Sequence, residues 1–339
     1  MKIPAPNVSP ETLRTLIDGW LLGQIHSIRP HQGGSSGSAK YAIESTEGRF
    51  LLKGRPHRAL PPQRLQLMRS VMARCLEAQL PVPELRPQAN GARHIEQDDR
   101  IWELQTWMGG KNAQRGRRDA RASGIALAMF HRATRNHPAS NQPSGDSKME
   151  FPFLIRRTIE RVPSSRASLQ QLEELAGLAK IKTEERGIMD HPKQILHGDW
   201  HPKNLRMHAD GRVAGILDFD AVRVDSVAHE LANAVLQVSL RRPKELAPSQ
   251  WPLGLYFQAG QQVTSAWRSR IGKAPPDGTW SMLPWLMIEI IAVETVLPIA
   301  VWGKIPGIDV QDWIQAGAET AEWIRERSRA LAEAWIPTR

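Results

Sequence analysis

The chain has 339 residues and a net charge of +10, with 41% hydrophobic and 24% charged residues. This composition supports a packed core and excludes a disordered chain, and the length suits two domains at roughly 100–200 residues each. The single cysteine, Cys75, excludes an internal disulfide and a cysteine-based zinc site, and its apolar helical setting predicts an inert buried thiol.

The charge is uneven. Residues 1–150 hold 22 basic and 13 acidic groups, whereas residues 151–339 hold 23 and 22. A function built on bulk positive charge therefore belongs to the first 150 residues, with nucleic acid, a membrane surface or a phosphate-bearing ligand as its partner. Residues 1–7 lack the apolar core of a signal peptide, so the cytoplasm is the expected location.

In chain order, residues 11–22 show apolar positions at helical spacing. Residues 24–29, 40–45 and 48–54 predict short strands. The first two are joined by a Gly/Ser-rich run at 33–38, the last two by the turn Thr46-Glu47-Gly48. An amphipathic helix is predicted over 61–79, stopped by Pro81 and Pro83. Residues 92–107 predict a hairpin, and Gly109-Gly110 a break. Beyond Arg117 helices are predicted over 117–135, 152–162, 167–187, 226–240, 249–271, 280–302 and 310–334, with a polar linker at 136–149. A β-rich patch, 194–197 with 212–218, interrupts them. Residues 283–302 are apolar enough to suggest a membrane, but they contain Glu289, Glu294, Pro284 and Pro298. An acid at a bilayer centre costs about 2.5–3.5 kcal/mol, so a buried helix outside any membrane is expected.

The chemistry concentrates in residues 195–220. His197-x-Asp199 is followed by Asn204, and Asp218 stands 14 residues after Asn204 in Asp218-Phe-Asp220. Phosphoryl transfer needs an acid to orient the attacking hydroxyl and oxygen ligands for Mg²⁺. A loop carrying Asp199 and Asn204 can aim one at the acceptor and one at the metal, with Asp218 delivered by a following strand.

These positions resemble the catalytic loop and metal motif of the aminoglycoside phosphotransferase and choline kinase family, the small-molecule branch of the protein-kinase-like fold. The resemblance spans residues 20–240. It implies an α+β, two-lobed fold: a small β-sheet N-lobe over 1–108 that binds the nucleotide, and a mainly helical C-lobe over 109–339 for catalysis and acceptor binding. ATP and Mg²⁺ are the implied cofactors. By resemblance Asp199 is the catalytic base or hydroxyl-orienting acid, His197 braces the loop, and Asn204 and Asp218 bind Mg²⁺, with Asp220 a more variable second acid. Gly34, Ser35, Ser36, Gly37 and Ser38 match the loop that covers the phosphates. Lys53 matches the third-strand lysine, and Gln105, Trp107 and Met108 fall on the hinge that holds adenine. Residues 126–132 resemble the family's Leu-Ala-x-x-His helix, and 225–233 its Asp-Leu-Ala helix, with Glu230 where Asp is usual. One feature departs. The strand lysine is usually paired with a helix glutamate, yet the only acid in 61–79 is Glu77, in the last turn, with Gln63 and Gln66 nearer the expected place.

A helix predicted from Ser226 leaves no room for a peptide-binding segment, and no Ala-Pro-Glu occurs, so no protein substrate is expected. The acceptor is a small-molecule hydroxyl: a sugar, amino alcohol, amino acid or aminoglycoside-like compound. Glu289 and Glu294, near Trp285 and Trp302, read either as ligands for an amine or polyol or as acids on a wet or salt-bridged helix face. The 12 tryptophans read first as core packing. Two rivals stand lower. His197-x-Asp199-x-His201 could hold zinc, but this leaves Asn204 and Asp218 without a role. The basic run 111–121 could meet nucleic acid, but no binding motif accompanies it. The alternative to a working kinase is a degraded one serving as a nucleotide- or ligand-binding module.

Overall fold

The computed structural model describes residues 8–31, 37–57, 61–141, 151–276 and 278–337. The chain divides into a first unit of Met1–Gly110 with Ala214–Asp220, and a second of Lys111–Val213 with Ala221–Arg339.

The first unit runs α1 (Pro10–Asp18), β1 (Ile25–Pro30), β2 (Ala39–Ser45), β3 (Gly48–Pro56), α2 (Pro62–Glu77), β4 (Ile95–Gln97) and β5 (Arg100–Thr106). The strands form one antiparallel sheet in the order β1-β2-β3-β5-β4. Period-two alternation decides its faces. Tyr41 and Ile43, Phe50 and Leu52, Trp102 and Leu104 turn to one side and form a buried core with Leu13, Leu16, Ile17 and Trp20. Ser9 caps α1 by accepting from the Thr12 N–H, which sets that helix where its apolar stripe can cover the sheet. Lys40, Lys53 and Glu103 have the opposite parity and stand in one cross-strand row, Lys40 opposite Lys53 and Lys53 opposite Glu103. Cys75 is buried on α2, and burial pushes its thiol up to about 12, so it is unreactive at neutral pH.

The second unit holds β6 (Lys111–Asn112), α3 (Arg117–Thr134), α4 (Phe151–Arg161), α5 (Arg166–Glu184), β7 (Lys193–Leu196), β8 (Leu205–Met207), β10 (Arg223–Ser226), α6 (Val227–Ser239), α7 (Phe257–Arg270), α8 (Thr279–Trp302), α9 (Val310–Glu326) and α10 (Ser328–Trp335); β9 (Val213–Ile216) leads out of it. α8 is apolar on all sides and long enough to cross a membrane, and here it is the central helix, packed against α4, α5, α6, α9 and α10. α3 and α7 approach closely at Gly124, where a Cβ would stand 2.5 Å from the Val263 carbonyl oxygen.

Three expectations are corrected. The helix predicted over 249–271 begins only at Phe257, because Pro252 cannot donate and Gly254 turns the chain at φ +110°. The helix predicted over 310–334 breaks at Arg327 into α9 and α10. The patch predicted over 194–197 and 212–218 is not one sheet: β7 pairs with β10, and β9 belongs to another sheet.

Candidate active site

In the second unit the loop from His197 to Asn204 connects β7 to β8. Gly198 adopts φ +83°, and a Cβ there would fall 2.0 Å from the Ala221 carbonyl oxygen, so only glycine fits. The loop is held from below by Glu230 of α6, 1% exposed, whose carboxylate accepts from the N–H of His197 at 3.1 Å and of Gly198 at 2.6 Å. The same carboxylate lies 2.9 Å from His131 Nε2, and His131 Nδ1 accepts from the Trp267 indole N–H at 3.0 Å. The ring proton therefore sits on Nε2 and is donated to Glu230. Burial pushes the Glu230 carboxyl up, but His131, His197 and the Gly198 N–H outweigh it and hold the group below its ordinary value. The His197 ring is fully buried, edge-on to Phe130 and Trp200.

Asn204 donates its amide to both the carbonyl oxygen (3.0 Å) and Oδ2 (2.8 Å) of Asp199. His201 Nε2 lies 3.4 Å from the same Oδ2. Asp199 is 48% exposed at its side chain, so a carboxylate fixed from behind faces solvent. The Asn204 nitrogen is spent on Asp199, and its amide oxygen is a hard donor of the kind Mg²⁺ takes.

In the first unit Lys53 Nζ lies 2.8 Å from both Asp218 and Asp220. This answers the question of its partner: the one acid of α2, Glu77, pairs with Arg74 at 3.7 Å, and Gln63 and Gln66 are exposed. α2 instead sends Arg69 to Glu103, which also binds Arg55, and Arg64 to the Asp220 carbonyl oxygen. Lys40 stands 3.5 Å from Asp218. Burial works against a charged Asp218, but Lys53, Lys40 and Arg55 hold its carboxyl far below the usual range. Burial and repulsion from Lys53 lower Lys40. Asp218 itself takes φ +63°, a left-handed conformation that Asp tolerates better than most residues. A carboxylate beside two ammonium groups suits a metal–polyphosphate ligand.

The remaining sequence candidates fall as follows. Gly34, Ser35 and Ser36 lie outside the described residues. Gly37 has φ +67°, and its carbonyl accepts from Arg100. Ser38 leads into β2. Gln105 is buried, paired with Leu51 and bridged to Leu85. Trp107 is half-buried, donates its N–H to the Arg49 carbonyl, and lies under the Arg49 guanidinium at 4.7 Å; Met108 follows it. Asp220 belongs to the first unit with Asp218. Glu289 and Glu294 are five apart on α8, about 140° around the helix, and are not brought together. Glu289 accepts from Thr183 of α5, Glu294 from Gln237 of α6. A pocket lined by Arg242, Trp251 and Glu319 contains none of the motif residues. Among the described residues no three His, Cys, Asp or Glu side chains are grouped to hold a metal.

Sequence reasoning missed Lys40, Arg55 and Glu103. A signal existed for Lys40: the tight turn that sets Ser45 opposite Gly48 also sets Lys40 opposite Lys53. Arg55 and Glu103 carried none, since their partners come from distant segments.

Among solved structures, an aminoglycoside phosphotransferase from Alicyclobacillus acidocaldarius subsp. acidocaldarius is 14% identical with a TM-score of 0.68, covering 97% of this chain and 97% of that one. A microcompartment-associated aminopropanol kinase is 17% identical at 0.68, covering 96% and 99%. An amicoumacin kinase, solved in complex with AMP-PNP, Ca²⁺ and Ami, is 12% identical at 0.68, covering 96% and 94%. At these identities the likeness is one of fold: a kinase-like α+β architecture with an antiparallel sheet and a helical part. No curated protein matches. The model of the phosphotransferase enzyme family matches residues 27–253, two-thirds of the chain. With that match, the chain belongs to the phosphotransferase enzyme family.

Proposed function

We propose that this phosphotransferase is an ATP- and Mg²⁺-dependent kinase that phosphorylates a hydroxyl of a small molecule. Residues 1–108 serve the nucleotide, and residues 109–339 serve catalysis and the acceptor. The observation that carries the reading is the Asp199–Asn204 pair, fixed on a loop whose backbone is tied to a buried Glu230–His131 brace. Such a brace holds a reacting carboxylate in one place, which is what in-line transfer demands.

Lys53 and Lys40 would bind phosphate oxygens, and Asp218 would bind the metal, a reading supported by their close pairing. The Asn204 amide nitrogen orients Asp199, and its oxygen is a hard donor that would take Mg²⁺. Asp199 would hold the acceptor hydroxyl and take its proton as the new O–P bond forms and the bond from the γ-phosphorus to the bridging oxygen breaks, with ADP as the leaving group. His197 and Glu230 hold the loop and touch no reactant. When bound, Mg²⁺–ATP supplies the phosphoryl group and neutralises its developing charge. Nothing in this arrangement requires a covalent enzyme intermediate.

Asp199→Asn keeps the size and the Asn204 contact but removes the base. It should lower kcat by roughly 10²–10⁴-fold while leaving AMP-PNP affinity and thermal stability nearly unchanged. ATP consumption across sugars, amino alcohols, amino acids and aminoglycosides measures this. Full turnover in the variant would sink the mechanism. Tight nucleotide binding by the native chain with no turnover on any acceptor would favour the binding-module reading instead.

A further inference from the structure

Around Asp199 the second unit gathers more positive charge than it neutralises. The segment before α3 is strapped at both ends: the Ala113 N–H donates to the Leu205 carbonyl at 2.9 Å, and the Gly116 N–H to the Val238 carbonyl at 2.8 Å. Half-buried Arg115 is thereby set between the turn that carries Asn204 and the C-terminal end of α6, where its Nε donates to the Gln237 carbonyl at 3.1 Å. The Gln237 amide reaches on to Glu294 at 2.6 Å. Just beyond α6, the Arg242 guanidinium is wedged 5.0 Å from the ring of Trp251 and 5.0 Å from that of Trp313. Two aromatic faces fix this cation without neutralising it.

These groups act on one another. Lys203 feels Arg115, Lys244 and Asp199. Glu294 feels Arg242, Asp199 and His201. Four cations, Arg115, Lys203, Arg242 and Lys244, thus stand against three carboxylates, Asp199, Glu294 and, in the pocket that Arg242 lines, Glu319. None of the four forms a salt bridge among the described residues. Burial, against the pull of Glu294, holds Arg115 below its ordinary value and pushes Arg242 down to about 10. Burial also pushes the Glu294 carboxyl up, which weakens the counter-charge further. Lys203 and Lys244 are exposed and Arg115 and Arg242 half-buried, so the two arginines are the partly desolvated cations that a ligand of the other sign would complete.

We propose that the acceptor is a hydroxy compound bearing an anionic group, a carboxylate or a phosphate ester, and that Arg115 and Arg242 hold that group while Asp199 faces the hydroxyl. The inference rests on the phosphotransferase reading above. It makes the site hostile to amines and polycations, which Arg115, Arg242 and Lys244 repel.

The test is calorimetric binding of glycerol, ethanolamine, glycerate and glycerol 3-phosphate to the full chain, with AMP-PNP and Mg²⁺ present so that the nucleotide residues are occupied. At least one of the two anions should bind ten or more times tighter than glycerol, with ethanolamine weakest. The glycerate and glycerol 3-phosphate arms tell carboxylate from phosphate. Arg115→Met and Arg242→Met should each remove the tenfold advantage and leave AMP-PNP affinity within twofold. Should Arg242→Met fail to fold without its tryptophan partners, Arg115→Met decides. Equal or tighter binding of glycerol or ethanolamine, no binding of either anion, or a matching loss of AMP-PNP affinity would overturn the inference. Anion preference without ATP turnover would uphold it and discard the kinase reading instead.

Discussion

At the scale of single residues, Glu230 does the most to shape the loop from His197 to Asn204. One buried carboxylate accepts two backbone N–H groups, from His197 and Gly198, and the ring proton of His131. Glu230→Ala would leave those donors buried and unpaired, at about 1–3 kcal/mol each. Thermal melts should register a loss of several kcal/mol, and kcat should fall at least tenfold because Asp199 is no longer held. Glu230→Asp keeps the charge one methylene shorter and should recover part of both. An Ala variant with native melting and native kcat would show that the brace is incidental. The loop's other requirement is local: Gly198 turns left-handed against the Ala221 carbonyl and leaves space for no side chain.

At the scale of elements, α8 shows how one helix combines burial with a pH response. Its apolar circumference is covered by five neighbouring helices, which accounts for its length and hydrophobicity without a bilayer. Glu289 sits on that helix, and burial pushes its carboxyl up to about 7 against the hydrogen bond from Thr183. The folded value lies above the ordinary value of 4.5, so the unfolded chain releases this proton first as pH rises. Stability from this group is therefore complete below about pH 4.5, declines through the interval up to 7, and is lost above it. Glu289→Gln should flatten the melting temperature between those limits and raise stability at pH 8 by on the order of 1–3 kcal/mol, the range reflecting partial exposure. Melting curves from pH 4 to 8 measure it, and an unchanged slope in the variant would refute the assignment.

At the scale of the whole molecule, the +10 net charge divides into local functions. Lys40, Lys53, Arg55 and Arg64 surround Asp218 and Asp220 in the first unit, the set proposed to meet the nucleotide. Saturating AMP-PNP with Mg²⁺ should stabilise the chain by about 2.7 kcal/mol at a hundredfold excess over Kd. Lys53→Met or Lys40→Met should lose most of that gain, and so should chelation of the metal. Scanning calorimetry reads it, and a full gain in Lys53→Met would remove the lysine from the nucleotide site. Much of this design is legible along the chain. Period-two parity set the dry face of the first sheet, helical spacing located most helices, and the spacing of His197, Asp199, Asn204 and Asp218 marked the loop proposed to be catalytic. Each of these depends on neighbours a few residues away, where covalent geometry alone dictates which side chains share a face or a turn. Tertiary structure alone decided the rest. It gave Lys53 the partners Asp218 and Asp220, tied His131 to Glu230 across 99 positions and to Trp267 across 136, turned Glu289 and Glu294 to different helices, and brought Arg115 to the end of α6. Such partners are chosen by how helices and strands pack, and no local periodicity encodes that choice.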